Sequence, residues 1–277
     1  MVVICQDICD MNAPSPDVIG NRPLTARSVL ASALLGADEP VLPVAGLIAA
    51  ASLFGISAGA ARTCLWRMVA NGELTSDNGS YALAGRLLER RHRVDDAARH
   101  GHEGRWNGTW ELAVVSLERR PAADRLELRR AAIALHLAEI REGVWIRPDN
   151  LDPQRLPSSR AVLDAQCVHF HGADSDITVD ATRSLFALDS WADDARSLIL
   201  AMNDELDTVR QAADEIAALT YQFALSIAVV RHLQLDPLLP AALIPPDWPA
   251  ATLRNAYRRF DDSFKRHMDH AFWQSAG

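Results

Sequence analysis

The chain has 277 residues, an apolar share of 49% and a net charge of -8, which is enough for two or three packed domains, while the acidity as a whole argues against nucleic acid. Four cysteines, Cys5, Cys9, Cys64 and Cys167, are too few and too scattered for a disulfide framework, as suits a reducing cytosol. The longest apolar run, Val41 to Ile56, carries Pro43 and Gly46 and is shorter than the roughly 20 residues of a membrane span, and the N-terminus lacks the basic start of a secretory signal, so a cytoplasmic protein with no membrane contact is expected.

Residues 1–21 read as an N-terminal arm, with Pro14, Ser15 and Pro16 breaking any helix. Thr25 to Leu35 and Val44 to Phe54 each read as a helix, the second stopping at Gly55. The spacing then predicts a third helix over Ser57 to Asn71, with Ser57 as N-cap and Asn71-Gly72 as its end. At helical spacing Ala61, Leu65, Met68 and Val69 share one face, and Arg62, Thr63, Trp66, Arg67 and Ala70 share the other. Two short extended segments, Glu73-Leu74-Thr75 and Ser80-Tyr81-Ala82-Leu83, flank Asp77-Asn78-Gly79, and Asn-Gly between such segments is a strong hairpin signal.

An amphipathic helix with arginines on its free face is, by itself, usually a solvated surface helix. The order changes that reading. Two helices, a Gly turn, a third helix and a hairpin within about 70 residues follow the winged helix-turn-helix plan, expected here over residues 22–88. Charge agrees with it. Residues 20–93 hold eight arginines against five acids, a balance of +3, whereas residues 149–215 hold fourteen acids against five arginines, a balance of -9. The positive part of the chain is the part with the candidate DNA-reading helix.

Leu88 to Gly104 reads as a linking helix plus linker, placed at 89–104 between domains, with Arg90, Arg91, Arg93 and Arg99 either tracking phosphates or solvated. A middle domain follows at 105–190. Thr109 to Leu117, Gly143 to Arg147 and Ala165 to His171 are strand-like, with a long helical pattern from Pro121 to Ile140 and a Pro- and Asp-rich loop after Pro148. This succession fits a ferredoxin-like α/β sandwich. In Gly143 to Arg147, alternation puts Trp145 and Arg147 on one side, where they would hold an anionic aromatic ligand, pack a neighbouring domain or cover a sheet edge.

From about Ala192 the chain reads as helical, giving a C-terminal α-helical domain over 191–277. Asp193 to Asn203, Glu205 to Leu219 and Thr220 to Leu235 are separate helical patterns, and Ala250 to about Phe272 is a last one. Between them, Leu235 to Pro249 is proline-rich but too apolar for a free linker, so it is expected to lie on the body of the protein with Trp248 as its anchor.

Three stretches carry a resemblance. They are Gly55-Ile56 with Ala61-Arg62-Thr63-Cys64-Leu65-Trp66-Arg67-Met68-Val69; Trp106-Asn107-Gly108-Thr109-Trp110 with Gly143-Val144-Trp145-Ile146-Arg147-Pro148; and Asp236-Pro237-Leu238-Leu239-Pro240 through Leu243-Ile244-Pro245-Pro246-Asp247-Trp248-Pro249. Together they resemble the PaaX-like family of bacterial transcriptional regulators, whose best-known members repress phenylacetate catabolism. The resemblance implies an α+β multidomain protein with a winged-helix N-domain, a ferredoxin-like middle domain similar to CRISPR-associated endoribonucleases, and a helical C-domain. It also implies a homodimer on an inverted-repeat double-stranded DNA operator, released by a small-molecule effector such as phenylacetyl-CoA or another acyl-CoA. Family wings often carry several basic residues; here Thr75 to Tyr81 has Asp77 and no cation.

The candidate DNA-binding residues are Arg27, Ser57, Arg62, Thr63, Trp66, Arg67, Asn78, Ser80 and Tyr81. Arg62 and Arg67 suit guanine O6/N7 or phosphates, Thr63 a phosphate or a thymine methyl, and Asn78 and Ser80 the backbone. Trp66 is either a lid on the core under the wing or a sugar contact, and the lid is the preferred reading. Trp145 and Arg147 are the candidate effector contacts. No catalytic, cofactor or metal site is expected. The chain has no nucleophile elbow, phosphate loop or HExxH, and the histidine pairs His100/His102, His169/His171 and His267/His270 lack further ligands at zinc spacing. Two rival functions remain. A metal-dependent nuclease would need an acid at the end of the first strand of the middle domain, where Glu118 replaces the expected aspartate; a protein-binding regulator without DNA binding would explain the uncharged wing.

Overall fold

The computed structural model describes residues 25–37, 39–99, 106–117, 119–172, 177–208 and 215–275, excepting the side chains of 93–99, 208, 215–217 and 268–275. The expected arm at 1–21, Cys5, Cys9, His100, His102 and Glu118 lie outside the described residues, as do the side chains of Arg93, Arg99 and His270. The fold mixes helices with two antiparallel sheets. Two compact units form, one from residues 1–98, 194–234 and 252–277, the other from 99–193 and 235–251.

The first unit begins with α1 (Ala26–Gly36), β1 (Val41–Pro43), α2 (Val44–Ser52), α3 (Ala58–Ala70), β2 (Leu74–Asp77), β3 (Ser80–Leu83) and α4 (Gly85–Arg99). Thr25 caps α1 by accepting from the Ser28 amide at 3.1 Å. Leu30 and Leu34 of α1, Leu47 of α2, Leu65 and Met68 of α3, and Leu74 and Leu83 of the hairpin form one buried core. The strand β1 goes beyond the expected hairpin. It pairs antiparallel with β3, so the sheet order is β1-β3-β2, and Leu42 lies opposite Tyr81. Three residues ending in proline give no period to read, and an edge position tolerates the missing Pro43 amide hydrogen.

The second unit carries β4 (Trp110–Val115), α5 (Ala122–Ala134), β5 (Ala138–Arg141), β6 (Val144–Pro148), α6 (Pro157–Gln166), β7 (Cys167–Gly172) and α7 (Val179–Leu185). The strand order is β5-β6-β4-β7, antiparallel throughout. Two expectations are corrected here. The helix predicted to run from Pro121 to Ile140 stops at Ala134, His136 turns at φ 59°, and Ala138–Arg141 becomes an edge strand. The stretch read as a loop after Pro148 contains α6, whose Pro157 occupies the first helical turn where no amide hydrogen is needed.

Pleating splits the sheet's side chains between two cores. Ala113, Trp145 and Cys167 pack with Leu128 and Ala132 of α5 and Leu163 of α6. On the opposite side, Trp110 and Ile146 pack with Leu188, Leu239 and Leu243. The proline-rich segment therefore covers a sheet face, and Trp248 stacks on Trp191 with ring centroids 4.5 Å apart and planes at 22°.

Helices α8 (Leu188–Thr208), α9 (Glu215–Gln234) and α10 (Ala250–Ser275) complete the chain. The break expected at Asp204 is absent, because α8 runs through it with Leu198 and Met202 buried and neither Gly nor Pro to stop it. Among the described residues no helix is long and apolar enough to cross a membrane.

Candidate nucleic-acid interface

The turn into α3 is made by Gly55 at φ 69°, with the Ile56 amide donating back to Ala51 O at 3.1 Å. Ser57 then accepts from the Ala60 amide at 3.3 Å, satisfying one of the free donors of the first turn. At the other end Asn71 is the C-cap, Gly72 lies at φ 68°, and the Glu73 amide donates to Met68 O at 2.9 Å, so the helix closes where the sequence placed its end. Ala61, Leu65 and Met68 are buried, which leaves Arg62, Thr63, Trp66 and Arg67 facing solvent.

Trp66 is 70% exposed, and this overturns the preference for a core lid. The place it was given is taken by Tyr81, which packs partly buried on the core beside Leu42, the partner that β1 brings across the sheet. A large ring left in water on a helix that already has a packed face is the informative kind of exposed apolar residue.

Thr63 Oγ1 donates to Gly59 O at 2.9 Å, so its hydroxyl hydrogen is already used within the helix. Arg67 lies in the last turn of α3, where a cation complements the carbonyl end of the helix dipole. Arg27 of α1 forms a two-pronged pair with Glu73, its Nε donating to Oε2 at 3.1 Å, which ties α1 to the exit of α3. Burial raises the Cys64 thiol above its ordinary value, with Arg27 and Arg67 opposing, so Cys64 is a neutral thiol beside the exposed face.

The hairpin turns on Asn78 at φ 47° and Gly79 at φ 80°, two consecutive positive values as a type I′ turn requires, and Asp77 pairs with Ser80. Asn78 is exposed at the tip, while Ser80 and Tyr81 are partly buried. Arg91 of α4 does not face outward as a free cation. It donates to the carbonyls of Leu35 (2.8 Å) and Ala37, at the end of α1.

Trp145 and Arg147 are placed differently from the rest. Trp145 is 4% exposed and belongs to the core beneath α5 and α6. Arg147, 2% exposed, spends its donors on protein: Nε on Pro148 O (2.9 Å), Nη1 on Leu135 O (2.8 Å) and Nη2 on Asn150 Oδ1 (2.9 Å). Burial lowers its pKa to about 9, with Glu111 opposing the shift. The two side chains do not form an open aromatic and cationic cradle.

Sequence reading missed the polar cluster next to Arg147. Glu111, 4% exposed, pairs with Arg160, and His169 lies between Glu111 Oε1 (Nδ1, 3.2 Å) and Asp164 Oδ1 (Nε2, 3.0 Å). His171 Nδ1 meets Asp149 Oδ2 at 3.1 Å, and these groups line a cavity of about 320 Å³ with Arg147 and Arg155. Burial would push the Glu111 carboxyl up, but the hydrogen bond and charge of Arg160, with His169 and Arg147 beyond, hold it below its ordinary value. The available signal was a lone acid inside the apolar strand Trp110–Val115, on the same side as two alternating histidines of β7. Among the described residues no group of three or more His, Cys, Asp or Glu could hold a metal ion.

Comparison with known proteins covers most of the chain. Residues 25–87 match a family model described as PaaX-like protein, 103–183 one described as PaaX protein central Cas2-like domain, and 186–275 one described as PaaX-like protein C-terminal domain. A solved structure, the uncharacterized protein Rv0674 from Mycobacterium tuberculosis, is 34% identical with a TM-score of 0.62, covering 89% of this chain and 98% of that chain. No curated protein matches.

Proposed function

The chain belongs to the PaaX-like protein family, and from that premise we propose that it is a sequence-specific DNA-binding transcriptional regulator, a dimeric repressor of a catabolic operon, and not an enzyme. In this reading residues 22–88 are a winged helix-turn-helix, 105–190 a ferredoxin-like body and 191–277 a helical domain. The observation that carries it is the free face of α3: Arg62, Trp66 and Arg67 exposed on a helix held by a capped start and a packed opposite face.

The chemistry of that face suits a major groove. Arg62 and Arg67 offer forked donors to guanine O6/N7 or to phosphates. Thr63, its hydroxyl committed to Gly59, has its methyl left for a thymine methyl. Trp66 has ring area for a sugar or an apolar base edge. The Asn78 tip supplies polar contacts without charge, so the wing adds little to the salt dependence. Ser57, Arg27, Ser80 and Tyr81 support the surface more than they extend it: a cap, an ion pair, a strand start and a core ring.

Val168 and Phe170 support a dimer. They lie two apart on the edge strand β7 with Phe170 55% exposed, an apolar stripe that a second copy would cover. Two α3 helices would then be spaced by about 34 Å, one turn of DNA, or a multiple of it. An effector, of the aryl-CoA class that the family resemblance implies, would favour a dimer geometry that no longer fits the operator.

The test is fluorescence anisotropy of the full chain on the DNA upstream of its own coding region, at two salt concentrations. Tight, salt-sensitive binding that Arg62→Ala weakens is expected. Equal, weak binding to that DNA and to an unrelated duplex would sink the proposal.

A further inference from the structure

Within the first unit a cavity of about 450 Å³ is lined by α1 and α2, by α9 and α10, and by Arg90 of α4. Its surface is mostly apolar, and a volume of this size is in the usual range of small-molecule sites, roughly 300–1,000 Å³. Three phenylalanines dominate. Phe54 lies 4.8 Å from Phe223, centroid to centroid, with planes at 46°, and Phe264 lies 6.2 Å from Phe223 at 51°. Rings tilted in this way offer both faces and edges, which suits a further aromatic ring.

The charged groups of the lining are engaged within the protein. Lys265 Nζ meets Asp261 Oδ2 at 3.0 Å, one turn away on α10, and Arg90 has a partner of its own. An ionised ligand would give up its water there with no free counter-charge to meet it, so the chamber disfavours ions. The neutral polar groups of the lining are hydroxyls: Ser32 on α1, and Ser226 Oγ with Tyr257 OH, 3.0 Å apart. Burial holds the Tyr257 phenol above its ordinary value, with Asp261 adding to the shift and the bond to Ser226 opposing it, so the pair keeps both of its hydrogens at neutral pH. Their mutual bond uses one of them. The other has no protein acceptor among the described residues, and the pair therefore offers one hydrogen-bond donor in an apolar surround.

We propose that this cavity is a binding site for a compact, neutral aromatic carbonyl compound, whose ring lies among Phe54, Phe223 and Phe264 and whose carbonyl oxygen accepts from the hydroxyl pair of Ser226 and Tyr257. The site is distinct from Trp145 and Arg147, which belong to the other unit. A whole coenzyme A thioester does not suit the chamber, since its phosphates would find the cations already paired. The consequence for DNA binding rests on the regulator reading; the binding itself does not. Ser32, Ala33, Gly46 and Ala50 of α1 and α2 are walls of the cavity, and the same two helices supply Leu30, Leu34 and Leu47 to the core on which α3 packs. An occupant that spreads or fills those walls acts on the helices that orient α3.

Ligand-detected NMR titration of the full chain would use acetophenone as the neutral ketone, benzoate as its charged counterpart and ethylbenzene as the counterpart without an acceptor. Acetophenone is expected to bind, and benzoate at least about tenfold more weakly. Ser226→Ala together with Tyr257→Phe removes both hydroxyls and leaves neither stranded, so it should cut affinity for acetophenone by about tenfold while ethylbenzene binds as before. Gly46 supplies the blocking variant. A Cβ there would have Pro43 Cγ at 3.8 Å as its nearest heavy neighbour, ordinary contact, and the residue is helical, so Gly46→Leu fills the chamber without straining the backbone. It should abolish binding of acetophenone and ethylbenzene alike, with a melting temperature unchanged or raised. The inference is overturned if acetophenone does not bind, if benzoate binds as well as acetophenone, or if either the paired hydroxyl variant or Gly46→Leu binds acetophenone as the parent does. Adding acetophenone to the operator titration separates the two readings: ketone binding without any operator binding strikes the regulator proposal only, and operator binding without ketone binding strikes the chamber only.

Discussion

The guanidinium of Arg91 donates to the carbonyl oxygen of Leu35 at 2.8 Å, and so a residue of α4 caps the last turn of a helix more than 50 positions earlier in the chain. The last turn of α1 has no basic residue of its own, so its carbonyl end has no local cation to complement it. Arg91→Ala should therefore destabilise the protein by about 1–3 kcal/mol, the cost of leaving partly buried carbonyls unpaired. Urea denaturation checks this, and Arg91→Lys should recover part of the loss, since both bonds come from the single nitrogen Nη1 and an ammonium also carries more than one donor hydrogen.

Arg147 and Glu111 make the second unit dependent on intact polar pairing. Arg147→Met removes a guanidinium hydrogen-bonded at all three nitrogens and strands Asn150 and the Leu135 carbonyl, an expected loss of about 3–5 kcal/mol by thermal or chemical denaturation.

For Glu111 the sign follows from its depressed pKa. A carboxyl held low in the folded protein contributes stability above its unfolded value, near 4.3, and loses that contribution as pH falls through the folded value. The parent should therefore exceed Glu111→Gln in stability near neutrality, and the gap should narrow as pH falls below the unfolded value, about 4.3. A gap that is flat from neutral to acid pH would contradict the Arg160 pairing as its source.

Trp66 separates recognition from stability. With its ring 70% exposed, Trp66→Ala should leave the melting temperature within about 2 °C of the parent. On the regulator reading it should weaken operator binding by about tenfold or more, a loss on the scale of 1–3 kcal/mol for a stacked or groove contact. Arg62→Ala and Arg67→Ala should each flatten the salt dependence by about one unit of slope where the side chain meets a phosphate.

Gly85 sits at the joint between the hairpin and α4, at φ 48°, and a Cβ there would lie 2.6 Å from the backbone oxygen of Gly72. That oxygen cannot rotate away. Gly85→Ala should cost more than about 2 kcal/mol, above the 1–2 kcal/mol of the left-handed conformation alone. Gly79→Ala, in the open hairpin turn at φ 80° with nothing within 4 Å of the added carbon, should cost only the conformational part.

Local signals were legible wherever the cause and the effect lie within a few residues. Ser57, the 3.6-residue period of Ala61, Leu65 and Met68, and Asn78-Gly79 each act through the backbone next to them, and the structure carries the cap, the buried stripe and the positive φ values that those residues demand. The tail of α5 failed the same test, because Ala138–Arg141 is a strand only through its pairing with β6.

The sequence by itself therefore determined the three N-terminal helices, the side of α3 left free, the hairpin turn and the family, since these follow from short-range propensities and from residues that could be read in order. Only the tertiary structure decided that Trp66 stands in water while Tyr81 closes the core, and that Arg147 is a buried staple instead of a ligand contact. It also decided that α1, α2, α9 and α10 enclose an apolar chamber. The physical reason is that burial is set by neighbours distant in sequence: whether a tryptophan or an arginine is inside depends on which remote element arrives to cover it.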